Sequence, residues 1–507
     1  MSRVIPDDVL RLQIQASDPA TSAWVSANAG SGKTYVLAQR VIRLLLEGTP
    51  AAKILCLTFT KSAAAHMANQ VFDTLARWVA LDDAALDLAV GRLEGRPPGP
   101  ARRARARRLF AETLEVPGGL KVQTIHAFCT RLLHLFPFEA NVAARFSVLE
   151  EAAERELIER QRLNVVLGAA SAPETALGRA LLTALAAAAD RTFAAVINEA
   201  IAERDRLTRW VNEAGGVSGA IAELSTRLGV EPDEDVEAVD RALTQSPILP
   251  RAEWLRVAAI LAGGSKNDQA RADALARAAE SGGAEAQQAY VSVFLTAEYT
   301  PRSKLVTQAI CSRHPALAER LCQERDRIAA LVRRRFAIEA RERTAAVLTV
   351  AAAVIERYRL AKEARGLIDY HDLIDKTLAL LTNVEAAWVH YKLDLGIDHV
   401  LIDEAQDTSP KQWEIIKRLT AEFTAGAGAR GPTGRSLFAV GDEKQSIFSF
   451  QGAAPEAFAQ LRAHFERQHR DAALAFRAAG SNSRSAPGPT CSPRSTRPSR
   501  VRRCFQV

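Results

Sequence analysis

The segment ANAGSGKT, residues 27–34, constrains the fold of this chain more than any other part of it. It fits the pattern G-x-x-x-x-G-K-[ST] except at its first position, where Ala27 replaces glycine. A strand is predicted before it, at 22–27, and a helix after it, at 34–46. A glycine loop between a strand and a helix points its backbone N–H groups at a phosphate, whereas a plain Gly/Ser turn is the alternative. The context favours a nucleotide site.

Single residues of this loop have predicted roles. Gly30 and Gly32 let the backbone wrap, Lys33 places a positive charge on the β- and γ-phosphates, and the Thr34 hydroxyl ligates Mg²⁺. No guanine-reading motif such as NKxD follows, so ATP is favoured over GTP as the nucleotide. The predicted ATP-binding residues of the loop are Ala27, Asn28, Ala29, Gly30, Ser31, Gly32, Lys33 and Thr34.

A second predicted part of the site lies far along the chain. Residues 400–404, VLIDE, read as an apolar strand that ends in two acids, although a strand ending in a charged turn is the alternative. Asp403 is predicted to hold Mg²⁺ through its outer shell, and Glu404 to polarise the attacking water. Gln445, in GDEKQ after the next strand, is predicted to sense the γ-phosphate as a neutral amide.

Strand and helix signals alternate over the first 150 residues, which predicts an α/β fold with a parallel sheet. Residues 151–340 are rich in Ala, Leu, Glu and Arg with helical periodicity, and they predict a large all-helical insertion. Residues 341–476 return to strand character and complete the α/β domain. Residues 477–507 are rich in Ser, Pro and Arg and predict a disordered tail.

The charge of the chain is concentrated in this tail. The formal net charge is +7, and residues 472–507 carry seven Arg with no Lys and no acid. The remainder is neutral, so global charge does not indicate DNA binding. The N-terminus does not resemble a signal peptide, no apolar stretch spans a bilayer, and the six Cys lack CxxC spacing. The expectation is a cytoplasmic protein with reduced thiols and no membrane contact.

Five motifs in order resemble those of superfamily 1 DNA helicases of the UvrD/Rep/RecB type. They are ANAGSGKT, LTFTKSAAAHM, VQTIHAFC, LIDEAQDTS and AVGDEKQSIFSFQGA, and the resemblance extends from about residue 10 to about residue 465. Within that superfamily the wording is closest to the AddA subunits of AddAB helicase–nucleases, which process double-strand breaks for recombination. A RecA-like lobe with a P-loop and a helical 1B-type insertion is the fold that this resemblance implies.

The resemblance also implies roles for residues outside the loop. Gln13 corresponds to the adenine-reading Gln upstream of the phosphate loop. Phe59, Thr60, Thr124 and His126 fall in motifs that contact single-stranded DNA. Phe448 and Phe450 fall where these helicases place aromatic side chains that stack on bases, and core packing is the alternative for both. The implied cofactors are ATP and Mg²⁺, and the implied partners are DNA with a single-stranded end or duplex junction and an AddB-like subunit in a heterodimer.

The resemblance stops near residue 476, about where such helicases begin a second RecA-like lobe. We therefore interpret the chain as the N-terminal part of an AddA-like subunit, and the basic tail as a possible shifted reading frame or truncation. Because the second lobe supplies an arginine to the γ-phosphate, we expect this chain alone to be deficient as a motor. A stand-alone UvrD/Rep-like repair helicase and a non-catalytic fragment that binds ATP or DNA are the alternatives.

Overall fold

The fold is described from a computed structural model of the 507-residue chain. The structure describes residues 7–26, 32–116, 119–188, 190–383, 387–424, 434–442 and 455–480. The chain divides into two compact units: residues 1–149 with 366–507 form unit 1, and residues 150–365 form unit 2. Among the described residues no helix is both long and apolar enough to cross a membrane.

Unit 1 is built on a parallel sheet of six strands in the order β3-β2-β6-β7-β1-β8, and β4 and β5 pair separately as a short parallel ladder. Parallel neighbours require crossover connections, which here are mostly helices. The strands are β1 Ser22–Ser26, β2 Ile54–Thr58, β3 Lys121–Thr124, β4 Ser147–Val148, β5 Leu367–Ile368, β6 His399–Ile402, β7 Ser436–Gly441 and β8 Phe476–Gly480.

The helices of unit 1 flank this sheet and come from both ends of the chain. They are α1 Asp7–Ala16, α2 Lys33–Glu47, α3 Lys61–Ala80, α4 Asp83–Glu94, α5 Pro100–Leu114, α6 Ile125–Leu135, and, after unit 2, α18 Tyr370–Thr382, α19 Ala387–Gly396, α20 Pro410–Thr420 and α21 Pro455–Asp471.

Unit 2 is helical throughout its described residues, apart from turns and one isolated bridge. Its helices are α7 Glu151–Ser171, α8 Ala176–Ala187, α9 Asp190–Ala202, α10 Arg204–Glu213, α11 Val217–Leu228, α12 Val236–Thr244, α13 Trp254–Ala262, α14 Lys266–Glu280, α15 Gly283–Phe294, α16 Gln308–Arg313 and the 49-residue α17 Pro315–Glu363.

The sheet is buried on both faces, as parallel sheets usually are. Successive residues of one strand point to opposite faces, so β7 sends Leu437 and Ala439 into one apolar cluster and Phe438 and Val440 into the other. Each of these four side chains is almost fully buried. This double burial explains why the central strands read as continuous apolar runs in the sequence.

Two predicted boundaries are wrong. The sequence predicts disorder from residue 477, but β8 (Phe476–Gly480) pairs in parallel with β1 over five residues. Its sequence, FRAAG, has weak strand propensity, and its order comes from backbone bonding to β1. The predicted boundary between residues 340 and 341 falls inside α17, and unit 2 ends at residue 365. Residues 481–507 lie outside the described residues.

Candidate nucleotide site and DNA-contacting residues

The site begins at the N-terminus of α2, where Gly32 precedes Lys33 and Thr34. Gly32 has a φ of +84°, a left-handed conformation that glycine adopts without strain. Lys33 and Thr34 are the first two residues of the helix, so they lie beside the free backbone N–H groups that attract anions. The other predicted loop residues, Ala27, Asn28, Ala29, Gly30 and Ser31, lie outside the described residues.

Lys33 and Glu404 form an ion pair at this end of the sheet. Lys33 Nζ donates to Glu404 Oε2 at 3.1 Å, and the lysine side chain is only 9% exposed. The pairing is possible because parallel strands place their carboxyl ends at one edge: β6 ends at Ile402, and Ser26 of β1 pairs with Gly441 of β7. Ligands of open parallel sheets bind at this edge.

Asp403 is the most buried acid of the predicted site, with 4% of its surface exposed. Its backbone N–H donates to the Leu57 carbonyl at 2.9 Å, and its Oδ1 accepts from the Glu404 backbone N–H at 3.1 Å. Burial and, secondarily, the neighbouring Glu404 carboxylate raise the pKa of Asp403 to about 6. A buried carboxylate with this pKa fits a divalent cation, whose charge would offset the cost of burial.

Glu404 itself adopts a left-handed backbone conformation, with φ 50° and ψ 48°. This conformation is uncommon for a residue with a side chain and costs of order 1 kcal/mol. It lies between β6 and the short 3-10 turn Ala405–Asp407, where it changes the direction of the chain. The Glu404 carboxylate is 36% exposed, so it is accessible to water on one side and bound to Lys33 on the other.

Gln13 lies on α1, next to the start of α2. An added Cβ at Gly32 would be 3.6 Å from Gln13 Nε2, so the two residues are in close proximity. Gln13 is 8% exposed, and its Oε1 has no hydrogen-bond partner among the described residues. The exocyclic amine of adenine is a donor that would satisfy this oxygen, so Gln13 fits its predicted role.

Arg40 of α2 fixes the segment that follows α1. This buried guanidinium donates to the backbone carbonyls of Ala16, Asp18 and Thr21 and, at 3.0 Å, to Ser436 Oγ of β7. Burial lowers the pKa of Arg40 to about 9, so the group stays charged at neutral pH. Arg40 thereby ties α1, which carries Gln13, to the sheet.

The residues predicted to contact DNA divide into two groups. Phe59 and Thr60 directly follow β2, and Thr124 and His126 lie at the end of its neighbour β3, so the sheet brings these four to one edge. Gln445, Phe448 and Phe450 lie outside the described residues.

Both threonines of the first group act as helix N-caps. Thr60 Oγ1 accepts from the Ala63 backbone N–H at 3.0 Å, and Thr124 Oγ1 accepts from the Ala127 N–H at 3.2 Å. Thr60 is exposed, whereas Thr124 is buried. The cap explains Thr124 without a ligand, and only Thr60 offers its surface to one.

His126 packs edge-on against Tyr370, with ring centroids 4.9 Å apart. Burial and, secondarily, His371 lower the pKa of His126 to about 4, so its imidazole is neutral at pH 7. A neutral ring can contact a base or a sugar but cannot neutralise a phosphate.

Sequence reasoning missed Gln406 and Asp407. Both are buried, and the Gln406 amide contacts the carboxylates of Glu404 and Asp407. The signal was present, because AQD directly follows the two acids in LIDEAQDTS, but no role was assigned to it. The contacts of Gln406 depend on the fold and cannot be inferred from spacing alone.

A parallel sheet buried on both faces, a helix that begins at Lys33 after a glycine loop, and two acids after β6 define a phosphate-loop nucleotide-binding protein. The chain belongs to the UvrD/REP helicase family, because the family model of the UvrD/REP helicase N-terminal domain matches residues 11–466. This result agrees with the resemblance found in the five motifs.

Three curated relatives, each named as an ATP-dependent helicase/nuclease subunit of the AddA type, are similar to most of the chain. The protein of Latilactobacillus sakei is 29% identical over 86% of this chain and 48% of its own length. Those of Desulforudis audaxviator and Pelotomaculum thermopropionicum are 27% and 26% identical, over 87% of this chain and 36% and 34% of their own lengths. The chain therefore spans about half, or less, of the length of these relatives.

Proposed function

We propose that this chain binds Mg·ATP at the edge of the unit 1 sheet and hydrolyses it to drive movement along DNA. The observation that carries the proposal is the pairing of Lys33 with Glu404 beside the buried Asp403. A cation for phosphate, a carboxylate for water and a carboxylate for a metal ion are the three groups that nucleotide hydrolysis requires. Membership of the UvrD/REP helicase family supports this interpretation.

The residues of the site divide the chemistry among them. Lys33 exchanges its ion pair with Glu404 for the β- and γ-phosphates, and the Thr34 hydroxyl and Asp403 hold the metal ion. Bound Mg²⁺ neutralises charge on the phosphate oxygens. Released from Lys33, the Glu404 carboxylate accepts a proton from the attacking water. Gln13 Oε1 accepts from the adenine amine, and Gln445 senses the γ-phosphate.

The proposed DNA path begins at the ends of β2 and β3. Phe59, Thr60 and His126 contact a single strand there, and Phe448 and Phe450 stack on its bases. Stacking is independent of sequence because every base has a π-face, which suits a protein that must move along any sequence. The described part of this edge offers few cations, so a modest salt dependence is expected.

The names of the relatives suggest the assembly in which this activity operates. We propose that the chain contributes the ATP-binding lobe of a helicase–nuclease that acts on DNA ends during double-strand break repair. Its expected partners are an AddB-like subunit in a heterodimer and DNA with a single-stranded end. Support comes from relatives that are named as helicase/nuclease subunits and that align over most of this chain.

Hydrolysis of ATP by the full chain, with protein in excess over nucleotide, tests the proposal. Single-stranded DNA is expected to accelerate phosphate release, and Glu404→Gln, which preserves size, is expected to reduce release to background. Equal release by the two proteins would contradict the proposed role of Glu404. Tight nucleotide binding with no hydrolysis by the wild type would instead identify a binding module.

A further inference from the structure

Gln406 makes three hydrogen bonds at the centre of the site. Its Nε2 donates to Glu404 Oε2 at 2.7 Å and to Asp407 Oδ2 at 3.1 Å, and its Oε1 accepts from the Asp442 backbone N–H at 2.8 Å. The side chain is 3% exposed. A single amide thus connects two acids that follow β6 with the residue that follows β7.

The orientation of this amide is determined by its partners. The backbone N–H of Asp442 can only donate, so the amide oxygen must face it. The NH₂ group then faces the two carboxylates, with one hydrogen for each. A flipped amide would place its oxygen against two anionic acceptors, which is strongly unfavourable.

The end of β7 provides the space that Gln406 occupies. A Cβ added at Gly441 would lie 2.6 Å from Gln406 Oε1 and 2.8 Å from Phe458 Cε2. Only glycine permits this approach, because real Cβ atoms do not come so close to other atoms. Gly441 and Gln406 are therefore matched across two neighbouring strands of the sheet.

We propose that Gln406 is a positioning residue for Glu404 during hydrolysis, an inference that rests on the proposed function of Glu404. Lys33 and Gln406 both donate to Glu404 Oε2. When Lys33 turns to phosphate, Gln406 still holds that oxygen and directs the other carboxylate oxygen to the water. Its bond to Asp442 links the same carboxylate to the start of residues 443–454, where Gln445 lies.

Two substitutions separate positioning from simple packing. Gln406→Leu keeps the volume but removes the donor, and it is expected to lower the hydrolysis rate by about 10–100-fold. The affinity for Mg·ATP should stay within about a factor of three, because Gln406 does not contact nucleotide. Gln412, another buried Gln, caps α20 through Ser409 and contacts neither acid. The matched control Gln412→Leu is expected to lower stability without this selective loss of rate.

The second substitution, Gln406→Glu, adds a pH-dependent readout. An ionised carboxylate cannot donate to Glu404 and repels it, whereas a protonated one donates as the amide does. The ratio of the mutant rate to the wild-type rate should therefore rise as the pH falls from about 8 to about 6. A packing role would leave that ratio constant.

Hydrolysis with protein in excess over ATP, together with calorimetric affinities, is the experiment for all four proteins. Selective rate loss in Gln406→Leu and the pH-dependent ratio in Gln406→Glu are the expected results. Wild-type hydrolysis with Gln406→Leu unchanged, or a constant ratio, overturns the inference alone. A wild type no faster than Glu404→Gln overturns the proposed function and this inference with it. If Gln406→Leu does not fold, the Gln406→Glu ratio decides.

Discussion

Lys33 Nζ lies 3.1 Å from Glu404 Oε2, although 371 positions separate the two residues in the sequence. Lys33 begins α2 in the first segment of unit 1, and Glu404 follows β6 in its second segment. Their ion pair neutralises the lysine that nucleotide phosphates would need. Phosphate and Glu404 must therefore compete for one ammonium group.

Glu404→Gln is expected to strengthen binding of a non-hydrolysable Mg·ATP analogue while it abolishes hydrolysis. The substitution frees Lys33 and removes a negative charge that faces the phosphates, so affinity should rise roughly two- to tenfold. Calorimetry measures the effect. Glu414, which pairs with Lys417 and Arg418 on α20 and has nearly the same exposure, provides the matched control Glu414→Gln. Weaker binding by Glu404→Gln would contradict competition for Lys33.

Asp403 should make stability depend on pH. Its folded pKa of about 6 lies above the usual value, so ionisation above pH 6 costs the folded state free energy, and this cost disappears as the pH falls below about 4. Asp403→Asn is therefore expected to raise the free energy of unfolding by about 2 kcal/mol at pH 8 and by almost nothing at pH 4. Denaturant unfolding without Mg²⁺ measures this.

Asp375, an exposed acid that pairs with Lys411, provides the control Asp375→Asn for that experiment. The control should change stability little at either pH. A stabilisation by Asp403→Asn that is equal at both pH values would show that the raised pKa of Asp403 is not its cause.

Gln13→Leu is expected to reduce discrimination between ATP and ITP, which differ at the position of the adenine amine. Loss of one hydrogen bond to a buried acceptor corresponds to about 1–2 kcal/mol, or roughly 5–30-fold in relative affinity. Competition binding with both nucleotides measures the ratio. Gln15 is exposed on the same helix, and Gln15→Leu should leave the ratio unchanged. An unchanged ratio in Gln13→Leu would assign adenine recognition elsewhere.

Gly441→Ala is expected to destabilise unit 1 by about 1–3 kcal/mol and to slow hydrolysis, because its Cβ would collide with Gln406 and Phe458. A Cβ at Gly434 meets no atom within 4 Å, so Gly434→Ala is the control for a Gly-to-Ala change. Thermal unfolding and hydrolysis rates are the measurements. A Gly441→Ala protein as stable and as fast as the control would show that the close approach is unimportant.

The sequence predicted the parallel sheet because its central strands are buried on both faces and therefore read as continuous apolar runs. It identified Lys33 and Glu404 because each lies in a motif with fixed local spacing. It did not predict β8, whose FRAAG sequence has little strand propensity and whose order depends on β1. Nor did it assign Gln406, since the partners of that amide meet only when β6 and β7 lie side by side.

Binding of Mg·ATP by the full chain and by Lys33→Ala tests the proposed nucleotide site most directly. Lys53 pairs with Asp398 at 2.7 Å just before β2, so Lys53→Ala removes a different lysine of unit 1 and serves as the control. Calorimetry should show wild-type affinity for Lys53→Ala and at least about tenfold weaker binding for Lys33→Ala, whose charge faces the phosphates. Equal affinity of the wild type and Lys33→Ala would contradict the assignment of this site.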